Sequence, residues 1–416
     1  MFLLSIVRGG KADVKAGLPG RKDAWYNSGK GRRTPTPLTE RKENGMRFLH
    51  LSDLHLGKRI FELSLLEEQR HLLDQVAAMA GRIDALLLAG DIYDKPVPPA
   101  EAVALFDGFL SRMSRAGCPV LMIAGNHDSA ERIAFGAELM AGSGVFVAPV
   151  YDGKARCVTL SDAHGEVDVW LLPFVKPAHV RAALGDEGIE GYTNALSAAV
   201  AAMPLRAGVR SVLLAHQFVT GAARSESEEI SVGGLDNVDA EVFSPFCYTA
   251  LGHLHTAQSL LGGRVRYSGS PLCYAFSECA QKKGGLLVDL AGDGSVNAEP
   301  VAFEPLHAMR SLRGSFEALA LGEGSEDYLR LILTDEDDVP DAAARLRAVY
   351  PNLLQIVYDN ARTRAAAADF TSEALSRREP FALFEELFEK QNGAPMDAQQ
   401  AALLRGVMER IWEDEA

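Results

Sequence analysis

From Met46 onward, short apolar runs alternate with longer segments that have apolar residues at helical spacing. The short runs predict buried strands and the longer segments predict amphipathic helices. This alternation is typical of an α/β layer fold. Residues 1–45 lack any such periodicity and are rich in Gly, Pro, Ser, Thr and Asn. We therefore expect disorder over residues 1–45 and a folded chain from Met46.

Five of the predicted strands are each followed at once by polar residues of the kinds that bind metal ions. These strands and the residues after them are Phe48–Leu51 with Ser52-Asp53-Leu54-His55, Ala85–Leu88 with Gly90-Asp91-Ile92-Tyr93-Asp94, Val120–Ile123 with Gly125-Asn126-His127-Asp128, Val212–Leu214 with His216-Gln217, and Tyr248–Leu251 with Gly252-His253-Leu254-His255. Open α/β sheets place their functional sites at the carboxyl ends of strands. We therefore expect the five strand ends to meet at one cleft.

The residue types in these motifs favour a particular class of metal. Asp, His and Asn without Cys suit manganese, iron or zinc better than a thiolate site or an all-oxygen calcium site. In Asp53-Leu54-His55 and His253-Leu254-His255, an extended backbone would project both ligand-type side chains to one side while the leucine packs inward. The glycines before Asp91, Asn126 and His253 permit tight turns and close backbone approach.

Each motif also has an ordinary structural explanation when it is taken alone. Gly90-Asp91 could begin a helix, Gly125–Asp128 could be a turn, and His216 could be a satisfied core histidine. The interpretation as a metal site depends on their conjunction. Five of the ten histidines lie in these motifs, namely His55, His127, His216, His253 and His255, whereas His50, His71, His164, His179 and His307 are assigned no role.

The composition of the chain is that of a globular protein with more than one part, with 416 residues, 47% hydrophobic and 24% charged. No stretch is long and apolar enough for a membrane span, and Met1–Val7 makes a poor signal peptide. We therefore expect a cytoplasmic protein that does not bind membranes. The five cysteines lack Cys-Xaa-Xaa-Cys pairs, so we expect reduced, mostly buried thiols.

Charge is distributed unevenly along the chain. Residues 1–45 carry ten Lys or Arg against four Asp or Glu, which leaves a net charge of −20 on the remainder. The first segment is either an extension ahead of a true initiator at Met46 or a basic arm that contacts nucleic acid. An acidic body binds a polyanion only through local cations. The cations beside the motifs, each of which could equally be an ordinary solvated side chain, are Lys58, Arg59, Lys95, Arg132 and Lys176.

The ordered set of five motifs resembles the calcineurin-like metallophosphoesterase superfamily. Within it, the chain is similar to the nuclease subunits of bacterial DNA-processing complexes, in the segments DLHLGKRIFELSLLEEQ, GDIYDKPVPPAEAV, GNHDS, VGGLDNVDAEVF, ALGHLH, YSGSPLCYAFSE and, more weakly, EPFALFEELFEKQNG. The resemblance implies a four-layer α/β sandwich with a small α/β capping domain and a C-terminal helical hairpin. The expected segments are a basic extension at 1–45, a nuclease domain at 46–290, a capping domain at 291–370 and the hairpin at 371–416.

The same resemblance implies two divalent metal ions, expected to be Mn²⁺, and a water that they activate. The implied ligands are Asp53, His55 and His255 for the first ion, Asn126, His216 and His253 for the second, and Asp91 as a bridge between them. His127 is then expected to contact the phosphate and protonate the leaving oxygen, with Asp94 as a candidate to orient its ring.

The C-terminal part carries no obvious catalytic residue. Strands are expected at Tyr328–Leu333 and Leu353–Tyr358, flanking a helix at about Asp341–Val349. Two amphipathic helices follow, at Pro380–Phe388 and through Leu403–Trp412. The resemblance implies that this hairpin docks on the coiled-coil base of an ATPase, and the alternative is that its apolar face packs on the chain's own core.

Three functions from different classes remain open. The first is a DNA nuclease subunit, acting on duplex ends, hairpins and single strands with the ATPase in DNA repair and recombination, as a homodimer within a heterotetramer. The second is a stand-alone phosphodiesterase for a small nucleotide or other phosphoester, which would not need the segment Ser225–Asp239 or the hairpin. The third is an inactive scaffold, which is disfavoured because no expected ligand is missing.

Overall fold

The structure is a computed structural model that describes residues 45–222, 237–368, 380–392, 394–401, 403, 404 and 408. The expectation of disorder over residues 1–45 therefore falls almost wholly outside the described residues. So do most of the segment Ser225–Asp239 and most of the second predicted helix of the hairpin. None of the helices in the described part of the chain has the length and apolar character needed to cross a membrane.

Strands and helices alternate through most of the described chain. The strands are β1 (Met46–Leu51), β2 (Arg59–Ile60), β3 (Leu63–Ser64), β4 (Ala85–Ala89), β5 (Val120–Ile123), β6 (Val145–Val147), β7 (Arg156–Asp162), β8 (Gly165–Leu171), β9 (Arg210–His216), β10 (Phe218–Val219), β11 (Asn237–Val238), β12 (Tyr248–Gly252), β13 (Gln258–Leu260), β14 (Val265–Tyr267), β15 (Gly285–Leu290), β16 (Val296–Val301), β17 (Met309–Gly314), β18 (Tyr328–Leu333) and β19 (Leu353–Tyr358). The helices are α1 (Leu66–Ala77), α2 (Ala100–Arg115), α3 (Ala130–Ile133), α4 (Ala137–Ala141), α5 (Pro177–Leu184), α6 (Gly191–Ala201), α7 (Phe316–Ala320), α8 (Ala342–Arg347), α9 (Ala361–Ala368) and α10 (Pro380–Asn392).

Two six-stranded mixed sheets carry the five polar motifs. The first has the order β16-β15-β1-β4-β5-β6 and the second has the order β13-β14-β12-β9-β8-β7. In the first sheet β1, β4, β5 and β6 are parallel, and in the second β14, β12, β9 and β8 are parallel. The motif strands are thus divided between the sheets, with β1, β4 and β5 in one and β9 and β12 in the other.

The two sheets pack face to face around a shared apolar core. Phe48 and Leu121 of the first sheet belong to the same buried cluster as Val212 and Tyr248 of the second. A separate cluster joins the outer face of the second sheet to α5 and α6, and α2 packs beside β5 of the first sheet. Helices therefore cover the outer faces of both sheets, which confirms the predicted four-layer α/β sandwich.

A third, smaller sheet follows, in the order β17-β18-β19, with all strands parallel. Its apolar face packs with α7 and α8 in a core of its own, which includes Phe316, Leu331 and Leu346. The two predicted strands of this unit have the predicted bounds. The sequence did not predict β17, because its two arginines interrupt the apolar pattern of Met309–Gly314.

The first sheet extends past residue 290, since β16 pairs with β15 in antiparallel register from Gly285 opposite Val301 to Leu290 opposite Val296. A buried carboxylate then links the four-layer body to the small sheet. Glu68 of α1 accepts hydrogen bonds from Leu306 N at 2.9 Å and from the Tyr328 hydroxyl at 3.1 Å, and its Oε1 lies 2.6 Å from His307 Nδ1.

The five cysteines form no disulfide, but most of them are not buried as predicted. Cys118 alone is buried, Cys157 is exposed, and Cys247, Cys273 and Cys279 are half-buried. Cys157 is exposed because β7 lies at the edge of the second sheet, where alternate residues face solvent.

Candidate metal centre

The five polar motifs meet at one cleft, as their positions after strands predict. Asp53, His55 and His255 bring one ligand atom each to within 4.8 Å of one another. On the other side, the Asn126 amide oxygen lies 3.0 Å from His216 Nε2 and 3.0 Å from His253 Nδ1. The fold therefore gathers the seven residues into two groups of three with Asp91 near both.

Asp91 lies between the two groups. Its Oδ2 is 3.7 Å from His55 Nε2 and 3.4 Å from His216 Nε2. Asp53, His55, Asp91, His216 and His255 are all buried, with exposed fractions of at most 4%, whereas Asn126 and His253 are half-buried. The cleft therefore reaches solvent on the side of Asn126 and His253.

The backbone at these ligand-type residues is not extended, which corrects the sequence-based expectation for the two spaced pairs. Asp53, His55, Asp91 and His253 have φ values of 54°, 44°, 50° and 101°. Such conformations cost roughly 1–3 kcal/mol each for non-glycine residues and are enriched at functional sites. The strands end before the motifs, so the pleat that would set the side-chain directions does not continue through them. Leu54 and Leu254 are nonetheless fully buried, as expected.

Two glycines allow the loops to approach closely, which confirms their predicted role. A Cβ atom at Gly125 would lie 2.1 Å from Asp91 Oδ1, and one at Gly252 would lie 2.0 Å from the Ala89 carbonyl oxygen. Asp128 adds hydrogen bonds to the same region, since its carboxylate accepts from Gly125 N at 2.9 Å and from Ile92 N at 3.0 Å. The Asp91 and Asn126 loops are thereby fixed to each other.

Sequence reasoning missed the residues that orient the histidines from behind. Glu278 is fully buried, with its Oε1 3.1 Å from His255 Nδ1 and its Oε2 2.8 Å from the Lys283 ammonium. The Tyr274 hydroxyl donates to the Leu54 carbonyl at 2.6 Å. Both residues lie in the quoted segment YSGSPLCYAFSE, where a carboxylate in an apolar stretch was the available signal. Such partners fix the orientation of metal-binding side chains and tune their affinity.

Burial and mutual contact perturb the acid–base behaviour of the site. Burial raises the pKa of Asp53 to about 6. Burial opposes ionisation of Asp91 as well, but the neighbouring His216 holds the pKa of this carboxyl well below its ordinary value. Burial lowers the pKa of His55 well below its ordinary value. A neutral imidazole beside ionised carboxylates is the form in which these side chains bind cations.

His127 and Asp94 are adjacent, but their contact differs from the one expected. His127 Nδ1 lies 3.3 Å from the backbone carbonyl of Asp94. The Asp94 carboxylate instead lies 2.6 Å from the Lys58 ammonium and 3.6 Å from His55 Nδ1. His127, His55 and Asp91 also form a group whose ligand atoms lie within 4.8 Å of one another. Distance alone therefore leaves His127 close enough to bind a metal ion itself.

The cations predicted to contact DNA differ in their surroundings. Arg59, Lys95 and Arg132 are exposed, and Lys176 is half-buried ahead of α5. Lys58 is half-buried, paired with Asp94, and its ammonium lies 5.5 Å from the centre of the Tyr274 ring. Lys58 is therefore held against the wall of the metal centre.

The residues of the cleft fit divalent cations. His55 Nδ1 is a buried polar atom without a hydrogen-bond partner among the described residues, and His55 Nε2 lies 3.1 Å from His255 Nε2. Two imidazole nitrogens facing each other beside buried carboxylates make a nitrogen and oxygen donor set of the kind that manganese, iron and zinc accept. The chemistry of the donors agrees with a metal centre.

Comparison with known proteins gives two regions of similarity to family models. Residues 46–180 match a model described as calcineurin-like phosphoesterase. Residues 305–392 match a model described as type 5 capsule protein repressor C-terminal domain. The first region contains three of the five polar motifs, and the second contains the small sheet and α10.

Two curated relatives are similar over most of the chain, and both are named as the SbcD subunit of the nuclease SbcCD. The relative from Staphylococcus epidermidis is 26% identical over 383 residues, which is 89% of this chain and 100% of the relative. The relative from Staphylococcus saprophyticus is 30% identical over 322 residues, which is 75% of this chain and 84% of the relative. A solved structure from Thermus thermophilus has 12% identity and a TM-score of 0.35 over 62% of this chain and 99% of that chain, values too low to support an argument.

Proposed function

The chain belongs to the family of SbcD nuclease subunits, and on this premise we propose that it is the nuclease subunit of a DNA-processing complex. Its class of chemistry is metal-dependent phosphodiester hydrolysis. The observation that carries the finer proposal is the position of Asp91, buried between one group formed by Asp53, His55 and His255 and another formed by Asn126, His216 and His253.

Two divalent ions, which we propose to be Mn²⁺, would be held at this cleft. Asp53, His55 and His255 would bind one ion, Asn126, His216 and His253 would bind the other, and Asp91 would bind both. When bound, such a pair of ions acidifies a water and neutralises the charge that develops on the phosphate oxygens. The carboxylates and neutral histidines of the chain supply the fixed, buried donor set that this chemistry needs.

His127 is the residue we propose for proton transfer to the leaving group. It is half-buried at the cleft, its backbone N–H donates to Asp91 Oδ1 at 3.0 Å, and its Nδ1 faces the Asp94 carbonyl. A proton on Nδ1 is stabilised by that carbonyl, so Nε2 is left to give a proton to the departing sugar oxygen. Asp94 would position the ring of His127 through its backbone.

DNA is proposed as the substrate because the relatives are named as nucleases and because exposed cations lie beside the metal centre. Arg59 and Lys95 follow the first two motifs and are exposed, and Arg132 follows the third. Such cations attract phosphates locally even on a chain of net charge −14. Lys176 is proposed as a further contact, and Lys58 would act from within the cleft wall.

An ATPase partner of the SbcC type is proposed to bind α10. This helix leaves Phe384 43% exposed and Leu387 54% exposed, which is typical of a helix that inserts its apolar face into a partner's groove. Paired Phe384→Asp and Leu387→Asp substitutions should abolish co-purification with the ATPase, whereas Glu389→Lys on the same helix should not. Retained binding by the double variant would contradict this docking surface.

The domain boundaries are also part of the proposal. A nuclease domain would begin at residue 46 and extend to Val301, where β16 leaves the first sheet, rather than ending at 290. A capping domain built on β17, β18 and β19 would follow up to residue 370, and the hairpin at 371–416 would end the chain. The dimer within a heterotetramer is proposed from the family alone.

The proposed function is tested by comparing two substrates. The full chain, with and without its ATPase partner, is assayed with Mn²⁺ on end-labelled duplex and hairpin DNA and on a chromogenic phosphodiester. The proposal predicts hydrolysis of the DNA, enhanced by the partner, and loss of all hydrolysis in the presence of a chelator. Activity on the small ester alone would favour a stand-alone phosphodiesterase instead.

A further inference from the structure

Two thiols approach each other in the loop behind the metal centre. The Sγ atoms of Cys273 and Cys279 lie 3.9 Å apart, and both residues are half-buried. A tight turn at Phe276–Glu278 separates them, with Glu278 N donating to the Ala275 carbonyl at 3.0 Å. The turn folds the chain back on itself and brings the two side chains together.

This distance is short enough for a covalent bond to form with a small movement. A disulfide needs its sulfurs about 2.05 Å apart, so the two atoms must move together by about 2 Å. The hydrogen bond from Cys273 and the nearby Arg330 guanidinium hold the pKa of Cys279 below its ordinary value. The thiolate is the nucleophilic form of cysteine, and a low pKa with access to solvent is typical of oxidisable thiols.

We propose that Cys273 and Cys279 form a thiol modification site that a peroxide oxidises to an intramolecular disulfide. The Cys279 sulfur attacks one oxygen of hydrogen peroxide, the O–O bond breaks, and Cys279 becomes a sulfenic acid while the departing hydroxide takes a proton to form water. The Cys273 sulfur then attacks the Cys279 sulfur, the S–O bond breaks, and a second water leaves with the proton of Cys273. The two thiols lose two electrons in total, and one peroxide is reduced to two waters.

The disulfide would change the support of the metal centre. Cys273 precedes Tyr274, whose hydroxyl donates to the carbonyls of Leu54 at 2.6 Å and Asp53 at 3.1 Å. Cys279 follows Glu278, which contacts His255 Nδ1 at 3.1 Å. Drawing the two sulfurs together shifts both flanking residues, and loss of such supporting contacts typically costs 10–100-fold in metal affinity. This consequence rests on the proposed function, whereas the disulfide itself does not.

The first test is the mass of the intact chain after exposure to hydrogen peroxide. The wild-type chain should lose about 2 Da, peptide mapping should join Cys273 to Cys279, and a thiol reductant should restore both thiols. Cys273→Ser and Cys279→Ser should each abolish the disulfide, and so should Cys273→Ala if the serine perturbs folding. Cys157→Ser is the matched control, because Cys157 is exposed and lies on β7, and it should oxidise like the wild type. A wild-type chain that keeps both thiols, or joins other cysteines, would overturn the proposal.

The second test is calorimetric titration of Mn²⁺ into the reduced and the oxidised chain. The affinity should fall about tenfold or more in the oxidised wild type and stay unchanged in peroxide-treated Cys273→Ser. Equal affinity in both states of the wild type would overturn the link to the metal centre. A reduced chain that binds no Mn²⁺ would contradict the proposed function, while the mass shift would still establish the disulfide.

Discussion

The Nε2 atoms of His55 and His255 lie 3.1 Å apart, although 200 residues separate them in the chain. His55 follows β1 of the first sheet and His255 follows β12 of the second. The geometry of the metal centre therefore depends on the face-to-face packing of the two sheets. Any change that shifts one sheet relative to the other should be felt first at this pair.

His127 and Asp91 should separate catalysis from metal binding. His127→Ala should retain two Mn²⁺ per chain and lose most hydrolysis, by about 100-fold or more, because it removes only the proton donor. Asp91→Asn should weaken metal binding itself, because it removes the charge shared by both groups. Calorimetric Mn²⁺ titration beside a phosphodiesterase assay measures both quantities. Equal metal loss in the two variants would make His127 a ligand.

Gly125 should be intolerant of any side chain. Gly125→Ala places a Cβ atom 2.1 Å from Asp91 Oδ1, so the carboxylate must move and Mn²⁺ affinity should fall by about tenfold or more. Gly108→Ala in α2 is the control, since its Cβ meets nothing within 4 Å, and it should stabilise the chain by about 1 kcal/mol. Unchanged Mn²⁺ affinity in Gly125→Ala would show that the loop can relax without cost.

Glu68 should hold the small sheet to the four-layer body. Glu68→Ala leaves the Leu306 N–H and the Tyr328 hydroxyl without their acceptor, and should lower the free energy of unfolding by about 2–4 kcal/mol. Hydrogen exchange in Met309–Gly314 should accelerate in the same variant. Glu67→Ala, one position away with a side chain 74% exposed, should change stability by less than about 0.5 kcal/mol. Equal effects in the two variants would contradict the role of Glu68.

The Asp162–Arg210 pair should give stability a defined dependence on pH. The Arg210 guanidinium donates to both carboxylate oxygens of Asp162, at 2.8 and 2.6 Å, and holds the pKa of Asp162 below its ordinary value of 3.8. A lowered pKa stabilises the folded chain fully above pH 3.8, and the contribution disappears as pH falls through the folded pKa. Denaturant unfolding should show wild type more stable than Asp162→Asn at neutral pH, with the difference shrinking only in acid. A difference that grows in acid would contradict this assignment.

Local patterns predicted the elements and the chemistry of the site well. The bounds of β5, β18 and β19 agree with the apolar runs because a short, continuous buried run has few ways to pair. The convergence of the motifs followed from their position after strands, since parallel strands in packed sheets end on the same side.

Features that depend on long-range contacts were not predictable from the sequence. The division of the motif strands between two sheets is set by pairing between distant segments. The left-handed backbone at Asp53 and His55 is imposed by hydrogen bonds to Gly90 O and Asp91 O, which no local pattern reveals. Glu278 was missed for the same reason, because its partner His255 is known only once the loops are folded.

The central claim is that seven dispersed side chains bind two divalent ions with Asp91 between them. Crystals of the full chain grown with Mn²⁺, with anomalous scattering recorded at the manganese edge, test it most directly. The account predicts two anomalous peaks, one among Asp53, His55 and His255 and one among Asn126, His216 and His253, with Asp91 contacting both. A single peak, or peaks away from these residues, would contradict it.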